Sequence, residues 1–371
     1  MIMLIMTVIH EHECRAIRNA FGLPDVQRLC KEGEGRIHAT FRLDFAQRRS
    51  IVLQAVNTRV FANPVAVAEN IAGISAYLRD RGRQPHILEP VALHQRPGQW
   101  LFAADSGRVW RCFEFVSDGY TVQTTDDLEV VRAAAAAFGA FMVDLAEFNI
   151  ETLHVTLPGF HDTPRWAARL EQAVRADTAE RRRTCTELIA ELRAYRRLAQ
   201  VMCRQPLRVA HYDTKLNNLL FHRRTHRPWC VVDWDTVMPG WLAHDFGDFV
   251  RSVCSPHGEE AATEFDRDRV NLPARFGAAL DGFLSATQPI IQPAECAVLA
   301  AAPLVMSYEL ALRFLIDYLQ GDHYFAVRAP SDNLNRAGNQ FALLAAMRDA
   351  YPEFARQTQQ ATGVAALPLP H

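Results

Sequence analysis

Residues 211–221 read HYDTKLNNLLF and place a histidine, an aspartate, a lysine and two asparagines directly before a short apolar run. Lysine is scarce in this chain, since Lys31 and Lys215 are the only two among cations that are otherwise arginines. The apolar run WCVVD follows at 229–233. A polar loop followed by two short strands is therefore predicted, and the simplest alternative is a turn whose side chains make only local hydrogen bonds.

The spacing within this stretch indicates phosphoryl transfer. Asp213 and Asn218 are five residues apart, as in the kinase loop H-R-D-x-x-x-x-N, and Asp233 ends the second apolar run. Such a site needs a carboxylate base for the acceptor hydroxyl and hard oxygen ligands for magnesium. Asp213 is the predicted base, and Asn218 and Asp233 are the predicted ligands. Lys215 is predicted to steady the transferred phosphoryl group, with a solvated loop lysine as the alternative.

The neighbouring polar residues have structural interpretations beside functional ones. Asp235 is predicted to share the metal because acids two residues apart at a strand end point the same way, and a surface turn acid is the alternative. In HDFGDFVRS, Asp245 is expected to be a helix N-cap and Asp248 to pair with Arg251, in preference to metal contact. His211 is expected to orient the loop by hydrogen bonding.

The rest of the chain predicts an α+β protein with two lobes. Strand-like runs and one helix capped by Asn63 occupy residues 1–116, and helical patterns dominate 117–371. A chain of 371 residues with 49% hydrophobic residues suits two cores. The first lobe is expected to bind nucleotide, and the second to carry the catalytic loop and the acceptor site.

Composition excludes several other classes of protein. The net charge of −2 and the absence of a basic run argue against nucleic acid as a partner. The opening MIMLIMTVI lacks a basic flank and is shorter than the ~20 residues of a membrane span, so no membrane association and a cytoplasmic location are expected. Eight scattered cysteines without a C-x-x-C pair suit reduced thiols. The expected partners are therefore small molecules.

HYDTKLNNLLF, followed by VVDWDTVMPG and DFGD, resembles the aminoglycoside phosphotransferase and choline kinase superfamily. Within that superfamily the chain is similar to the N-acetylhexosamine 1-kinases over roughly residues 15 to 350. The matching strings, in order, include VLQAVNTRVFANP, WRCFEFV, FGAFMVDL, LPGFHDTPRW and ELALRFLIDYLQGDHYF.

The resemblance implies a protein-kinase-like bilobal fold, with ATP and Mg2+ as cosubstrates and the anomeric hydroxyl of an N-acetylhexosamine, GlcNAc or GalNAc, as acceptor. It assigns Asp213 as base, Asn218 and Asp233 as magnesium ligands, and Glu114 to Val116 as the hinge that meets adenine. For the acceptor pocket it implies a set from the C-terminal lobe, namely Arg313, Asp317, Tyr318 and Tyr324. A buried structural role is the alternative for Arg313.

The donor-site residues depart from the usual kinase pattern. Kinases carry a lysine on the third strand that pairs with a helix glutamate, but the matching strand here reads IVLQAV, with Gln54 in that place. Glu69 on the predicted helix is thus left without its expected partner. The glycine-rich turn, with Gly33 and Gly35 as candidate nucleotide contacts, reads GRIH where the family has GHIN. These changes raise the alternative of a catalytically silent nucleotide- or sugar-binding protein.

Two further alternatives are enzymes of a different specificity or class. One is a kinase whose acceptor is an aminoglycoside, a choline-like compound or another small alcohol. The other is a metal-dependent phosphohydrolase that uses His211, Asp213, Asp233 and His244 as ligands. No sequence feature pairs these two histidines at one metal, whereas the order of Asp213, Asn218 and Asp233 fits a kinase.

Overall fold

The computed structural model describes residues 9–32, 37–82, 87–202, 205–256 and 265–370. These residues form two units. The first contains the described residues up to Gly119 with two later segments, 151–157 and 234–237, and the second contains the remainder. The boundary predicted after residue 116 lies three residues before Gly119, but the prediction does not include the two later segments. The candidate glycines Gly33 and Gly35 lie outside the described residues.

The first unit is built on an antiparallel sheet with strand order β1-β2-β3-β6-β4, and β5 pairs with β6. Its elements are α1 (Glu11–Phe21), β1 (Val26–Lys31), β2 (Ala39–Phe45), β3 (Ile51–Val56), α2 (Pro64–Asp80), β4 (Pro90–Val91), β5 (Phe102–Ala103) and β6 (Val109–Glu114). The predicted β-rich first lobe and its Asn63-capped helix, α2, are confirmed, whereas helix α1 was not predicted.

Alternation along β3 decides which side chains the sheet presents on each face. Ile51, Leu53 and Ala55 are buried in the core that β2 and β6 share, so Gln54 points to the opposite face. Arg111 on β6 is the direct antiparallel partner of Gln54 and therefore lies on the same face.

Helix α2 explains why two distant segments join the first unit. Asn63 caps its start by accepting a hydrogen bond from the Ala66 N–H at 3.2 Å, as predicted. Buried Asn70 then donates to the carbonyl oxygens of His154 at 2.8 Å and Val237 at 3.1 Å. These hydrogen bonds hold both segments against the helix.

The second unit is mainly helical. Its helices are α3 (Leu128–Asp144), α4 (Thr163–Ala176), α5 (Thr186–Ala194), α6 (Leu242–Val253), α7 (Leu272–Thr287), α8 (Pro293–Cys296), α9 (Ala302–Gln320) and α10 (Asp332–Thr362). Its strands are β7 (Gly119–Thr121), which starts at the boundary, β8 (Arg208–Ala210), β9 (Leu219–His222), β10 (Pro228–Val231) and β11 (Met238–Gly240). Helix α9 is buried along nearly its whole length. No helix of the described ranges has both the length and the apolar character needed to cross a membrane.

One stretch with a helical sequence pattern is broken in the structure. The arginine-rich stretch from Arg165 to Gln200 has a helical pattern throughout, but α4 ends at Ala176 and α5 starts only at Thr186. Asp177 adopts a left-handed φ of 39°, and its carboxylate accepts the backbone N–H groups of Arg181 and Arg182, both at 2.9 Å. This local capping competes with continued helix, which is the usual tendency of aspartate.

Candidate active site

Strand pairing frames the predicted catalytic loop. β8 pairs antiparallel with β11 immediately before His211. The first two backbone N–H groups of the loop, those of His211 and Tyr212, donate to the two carboxylate oxygens of Asp245 at 2.7 and 2.8 Å. The Thr214 hydroxyl donates to the carbonyl oxygen of Asp245 at 2.6 Å. One residue of α6 therefore fixes the start of the loop.

The structure brings together three of the predicted site residues. The amide nitrogen of Asn218 donates to Asp213 Oδ2 at 2.8 Å, and the Lys215 ammonium lies 3.1 Å from Asp213 Oδ1. The same amide nitrogen also donates to the backbone carbonyl of Asp213 at 2.8 Å, which leaves Asn218 Oδ1 for another partner. The Asp213 side chain keeps about a fifth of its surface exposed, so an acceptor can reach it.

Asp233 follows β10 next to this loop. Val232, the residue before it, donates its N–H to the carbonyl of Asn218 at 2.9 Å and accepts a hydrogen bond from His211 Nε2 at 3.0 Å. Asp233 adopts a left-handed φ of 64°, a conformation that non-glycine residues show mainly in turns and functional sites. The backbone hydrogen bond between Val232 and Asn218 thus places Asp233 next to Asn218, as the spacing predicts.

These donors fit a magnesium ion that is completed by other ligands. Within the described ranges, no group of three or more histidine, cysteine or acidic side chains is placed to hold a metal. One carboxylate from Asp233 and the amide oxygen of Asn218 would be the protein's share of such a site, since Mg2+ is usually bound by one or two protein oxygens together with phosphates and water.

His211 orients the loop, as predicted. Its ring is buried edge-on to the rings of Phe138 and Phe141, and burial lowers its pKa. Its Nδ1 accepts the N–H of Asp213 at 3.2 Å, while Nε2 donates to Val232. Because both ring nitrogens are occupied, His211 is a poor metal ligand, which argues against the phosphohydrolase alternative.

Asp245 has a different role from the predicted N-cap. Trp241 occupies the N-cap of α6, and Asp245 lies in the first turn, where it accepts the loop N–H groups. Burial raises the pKa of Asp245 to about 7, although the two donated hydrogen bonds act to lower it. The predicted pair of Asp248 with Arg251 is confirmed, at 2.7 Å.

Asp235 does not share a strand end with Asp233, because β10 stops at Val231 and a short 3-10 helix covers Trp234–Thr236. Asp235 belongs to the first unit. Both of its oxygen atoms are occupied there, by Arg111 at 2.8 Å and by His38 Nε2 at 2.6 Å. We therefore interpret Asp235 as the partner of a buried arginine and no longer as a metal ligand.

A buried cation stands on the strand next to the one that lacks the kinase lysine. Arg111 Nε donates to Gln54 Oε1 at 2.9 Å, and its two terminal nitrogens face Asp235. Arg111 is only 4% exposed. The cation thus stands on β6, directly opposite Gln54, and its carboxylate partner comes from the segment after Asp233. The sequence signal was the arginine in WRCFEFV, which the pattern alone does not pair with Gln54.

Glu69 has a partner other than a strand cation. Its carboxylate lies 2.9 Å from His154 Nε2, and about half of each side chain is exposed.

The predicted hinge residues, Glu114 to Val116, begin at the last residue of β6. The Glu114 side chain pairs with Arg48 at 2.6 Å, while Val116 forms no backbone hydrogen bond with the described residues. The hinge assignment of Glu114 to Val116 stays a prediction.

The predicted acceptor residues separate into two groups. Asp317 accepts the backbone N–H groups of residues 323–325 at 2.8 to 2.9 Å, and Tyr318 is buried with its hydroxyl 2.8 Å from Thr184 Oγ1. Asp317 therefore holds the segment that carries Tyr324, whereas Tyr318 contacts Thr184. Arg313 and Tyr324, by contrast, contact each other, with the guanidinium carbon 5.9 Å from the ring centre.

Arg313 lies among aromatic rings that the sequence prediction missed. Its guanidinium carbon is 4.4 Å from the Phe160 ring centre, 5.4 Å from that of Trp166 and 5.8 Å from that of Phe325. Arg313 forms no hydrogen bond or ion pair with the described residues, so its N–H groups are available to a ligand. Phe160 and Trp166 come from LPGFHDTPRW, a string recognised by resemblance without an assigned role.

The chain belongs to the phosphotransferase enzyme family, whose sequence model matches residues 31–278, more than half of its length. Membership of the aminoglycoside phosphotransferase and choline kinase superfamily is thereby confirmed. The narrower assignment to the N-acetylhexosamine 1-kinases stays a prediction.

Solved structures confirm the protein-kinase-like fold. An amicoumacin kinase in complex with AMP-PNP, Ca2+ and Ami has a TM-score of 0.58 at 13% identity, over 93% of each chain. An aminoglycoside phosphotransferase from Alicyclobacillus acidocaldarius has a TM-score of 0.57 at 16% identity, over 94% of this chain and 96% of that one. An ethanolamine kinase from Plasmodium vivax has a TM-score of 0.56 at 12% identity, over 90% and 89%.

Proposed function

We propose that this protein transfers the γ-phosphoryl group of ATP to the anomeric hydroxyl of an N-acetylhexosamine, GlcNAc or GalNAc. The observation that carries the proposal is the constellation of Asp213, Lys215 and Asn218, in which amide and ammonium groups hold one partly exposed carboxylate. That arrangement suits a base that receives a proton from an acceptor hydroxyl.

The chemistry follows from the positions of these groups. The acceptor oxygen forms a bond to the γ-phosphorus, the bond to the β,γ-bridging oxygen breaks, and the hydroxyl proton passes to Asp213. The Lys215 ammonium lies 3.1 Å from that carboxylate, and its positive charge stabilises the negative charge of the transferred phosphoryl group. Asn218 and Asp233 would hold Mg2+, which neutralises phosphate charge when bound. Gln54, Glu114 and Val116 are proposed as nucleotide contacts in the first unit.

The acceptor is proposed to lie against the aromatic residues around Arg313. The Arg313 guanidinium lies over the Phe160 ring. The centre of the Phe160 ring is 6.4 Å from that of Tyr212, the residue before Asp213. A sugar ring can stack on aromatic faces while an acetamido carbonyl accepts a hydrogen bond from a guanidinium. The nearness of this cluster to the catalytic loop supports its role in acceptor recognition.

The charges near this cluster argue against a cationic acceptor. Arg165, Arg169 and Arg313 lie close together, and none forms an ion pair with a described residue. Burial, followed by repulsion from the other two arginines, lowers the pKa of Arg169. Asp317, the one acid among the predicted acceptor residues, is occupied by backbone N–H groups. A neutral sugar is therefore favoured over an aminoglycoside or a choline-like alcohol.

The test is ADP release from ATP and Mg2+ with GlcNAc, GalNAc, unmodified hexoses, choline and kanamycin as acceptors. Methyl glycosides of GlcNAc and GalNAc are the matched acceptors, because only their anomeric hydroxyl is blocked. Asp213→Asn is the catalytic variant, and Asp281→Asn, which changes an exposed carboxylate, is its control.

We expect turnover with free N-acetylhexosamines, none with the methyl glycosides, and loss of turnover in Asp213→Asn but not in Asp281→Asn. Phosphorus NMR of the product should show an anomeric phosphate. Turnover of choline or kanamycin alone would replace the sugar assignment with an amino-alcohol kinase. Nucleotide binding without turnover of any acceptor would favour the silent binding protein.

A further inference from the structure

His161 is buried beside the catalytic loop and has no part in the proposed chemistry. Its Nδ1 lies 2.7 Å from Glu309 Oε1, and its Nε2 lies 3.1 Å from the backbone carbonyl oxygen of Tyr212. The backbone carbonyl oxygen can only accept, and an ionised Glu309 carboxylate can only accept as well, so with Glu309 ionised both ring nitrogens donate. The two contacts therefore match a doubly protonated His161 imidazolium paired with an ionised Glu309, with side-chain exposure of 4% for His161 and 1% for Glu309.

The electrostatic surroundings of His161 agree with this protonation state. Burial acts to lower the pKa of His161, but the attraction and hydrogen bond of Glu309 outweigh it and the pKa is raised. The titratable and charged groups that face the ring are Glu309 and Arg313 from α9, His244, Asp245 and Asp248 from α6, and Tyr212 from the loop.

The backbone that His161 holds is the one that orients the base. Tyr212 has a left-handed φ of 66°, an unfavourable conformation for a bulky residue. Its N–H is fixed by Asp245 and its carbonyl by His161, and its ring packs so closely on Gly240 that an added Cβ there would lie 2.3 Å away. Because Asp213 follows directly, the orientation of the Tyr212 peptide sets the direction of the Asp213 side chain.

The other end of this contact leads to the proposed acceptor cluster. Glu309 lies one helical turn before Arg313 on α9, and its second oxygen accepts a hydrogen bond from the Thr163 hydroxyl at 2.6 Å. Phe160, whose ring contacts the Arg313 guanidinium, directly precedes His161. The same two segments therefore supply acceptor contacts and the support of the catalytic loop.

We propose that His161 and Glu309 are positioning residues that hold the Tyr212 peptide, and through it Asp213, only while His161 is protonated and Glu309 is ionised. The inference rests on the proposed phosphotransfer function. When His161 loses a proton, the deprotonated ring nitrogen points its own lone pair at an acceptor oxygen. One of the two hydrogen bonds is then lost. Turnover is then present below the pKa of His161 and declines as pH rises through it.

The experiment compares the pH dependence of kcat in the wild type, Glu309→Gln, His161→Gln and His154→Gln. His154→Gln is the matched control because that histidine is half exposed and pairs with Glu69 in the first unit. We expect Glu309→Gln to move the alkaline decline to lower pH, since the imidazolium loses its carboxylate. His161→Gln should lower kcat by about 10- to 100-fold, with KM for ATP unchanged, because the base is misplaced.

A second measurement does not depend on turnover. Nitrogen-15 NMR of the histidine rings should show two N–H protons on His161 at neutral pH, assigned by their absence in His161→Gln. Glu309→Gln should lower the pH at which one of them is lost. If no acceptor is turned over, the phosphotransfer proposal fails while this spectrum still tests the ion pair. A single ring proton at neutral pH, or an alkaline decline that Glu309→Gln leaves in place, would overturn the inference.

Discussion

The buried pair of Arg111 and Asp235 gives the strongest prediction about the first unit. Replacing Asp235 with leucine leaves the Arg111 guanidinium buried without its carboxylate, and replacing Arg111 with methionine leaves the Asp235 carboxylate with only His38 as a donor. Both partners are at most 5% exposed at their side chains, so solvent cannot replace the lost partner. Each single substitution should therefore lower the free energy of unfolding by about 3–5 kcal/mol.

The double substitution should cost much less than the sum of the two. With both charges removed, no unpaired ion remains in the core, and the remaining cost comes from Gln54 and His38, which each lose a hydrogen-bond partner. Such unsatisfied polar groups cost about 1–3 kcal/mol each. The double substitution should thus cost about 2–6 kcal/mol against about 6–10 kcal/mol for the two single substitutions together, which is a coupling free energy of about 4 kcal/mol between the two positions.

Urea denaturation of the four proteins at pH 7, followed by circular dichroism and tryptophan fluorescence, measures this cycle. The pH dependence of the free energy of unfolding checks independently that the pair stabilises the fold. Burial acts to raise the pKa of Asp235, but Arg111 and His38 outweigh it and the pKa is lowered. The pair therefore stabilises the fold above the unfolded pKa of about 3.9, and this contribution is lost as pH falls below that value.

Two results would refute this reasoning. One is a cost below about 1 kcal/mol for either single substitution, which is typical of a solvent-exposed ion pair. The other is strict additivity, which would mean that the two side chains act independently.

Three further predictions concern single positions. Glu69→Gln should change kcat by less than about twofold, because its half-exposed ion pair contributes little; steady-state kinetics beside the wild type measures this. Gly282→Ala should lower the free energy of unfolding by about 1–3 kcal/mol in urea denaturation, since an added Cβ would lie 2.0 Å from the carbonyl oxygen of Arg132 on α3. Asp245→Asn should leave one loop N–H without an acceptor, at a cost of about 1–3 kcal/mol, and should lower kcat more than KM; unchanged kcat would contradict the role of Asp245 in fixing the loop.

Local sequence patterns predicted much of this protein because they depend on neighbouring residues. Asn63 and Pro64 mark the start of α2, alternation marks β3, and the spacing of Asp213 and Asn218 places both in one short loop. Each of these features spans only a few residues, so propensity and spacing are sufficient.

The features that sequence did not predict join residues far apart in the chain. Asp235 pairs with Arg111 across 124 positions, and His161 meets Glu309 across 148. Spacing carries no information about such contacts, and Asp235 was assigned from a strand that ends before it. The aromatic contacts of Arg313 were missed for the same reason, because LPGFHDTPRW and α9 are separated by more than a hundred residues.

The buried cation of the first unit, Arg111, takes its carboxylate partner from a segment other than α2. In a kinase with a strand lysine and a helix glutamate, the helix must be in place before the pair can form. Here the carboxylate partner of Arg111 comes from the 234–237 segment, which Asn70 of α2 holds through the carbonyl of Val237, and Glu69 is left to pair with His154. The contribution of α2 is therefore a buried amide hydrogen bond that needs no charge at position 69. If this is correct, Asn70→Ala should lower activity and stability more than Glu69→Gln, which is the reverse of the order expected for a lysine–glutamate kinase.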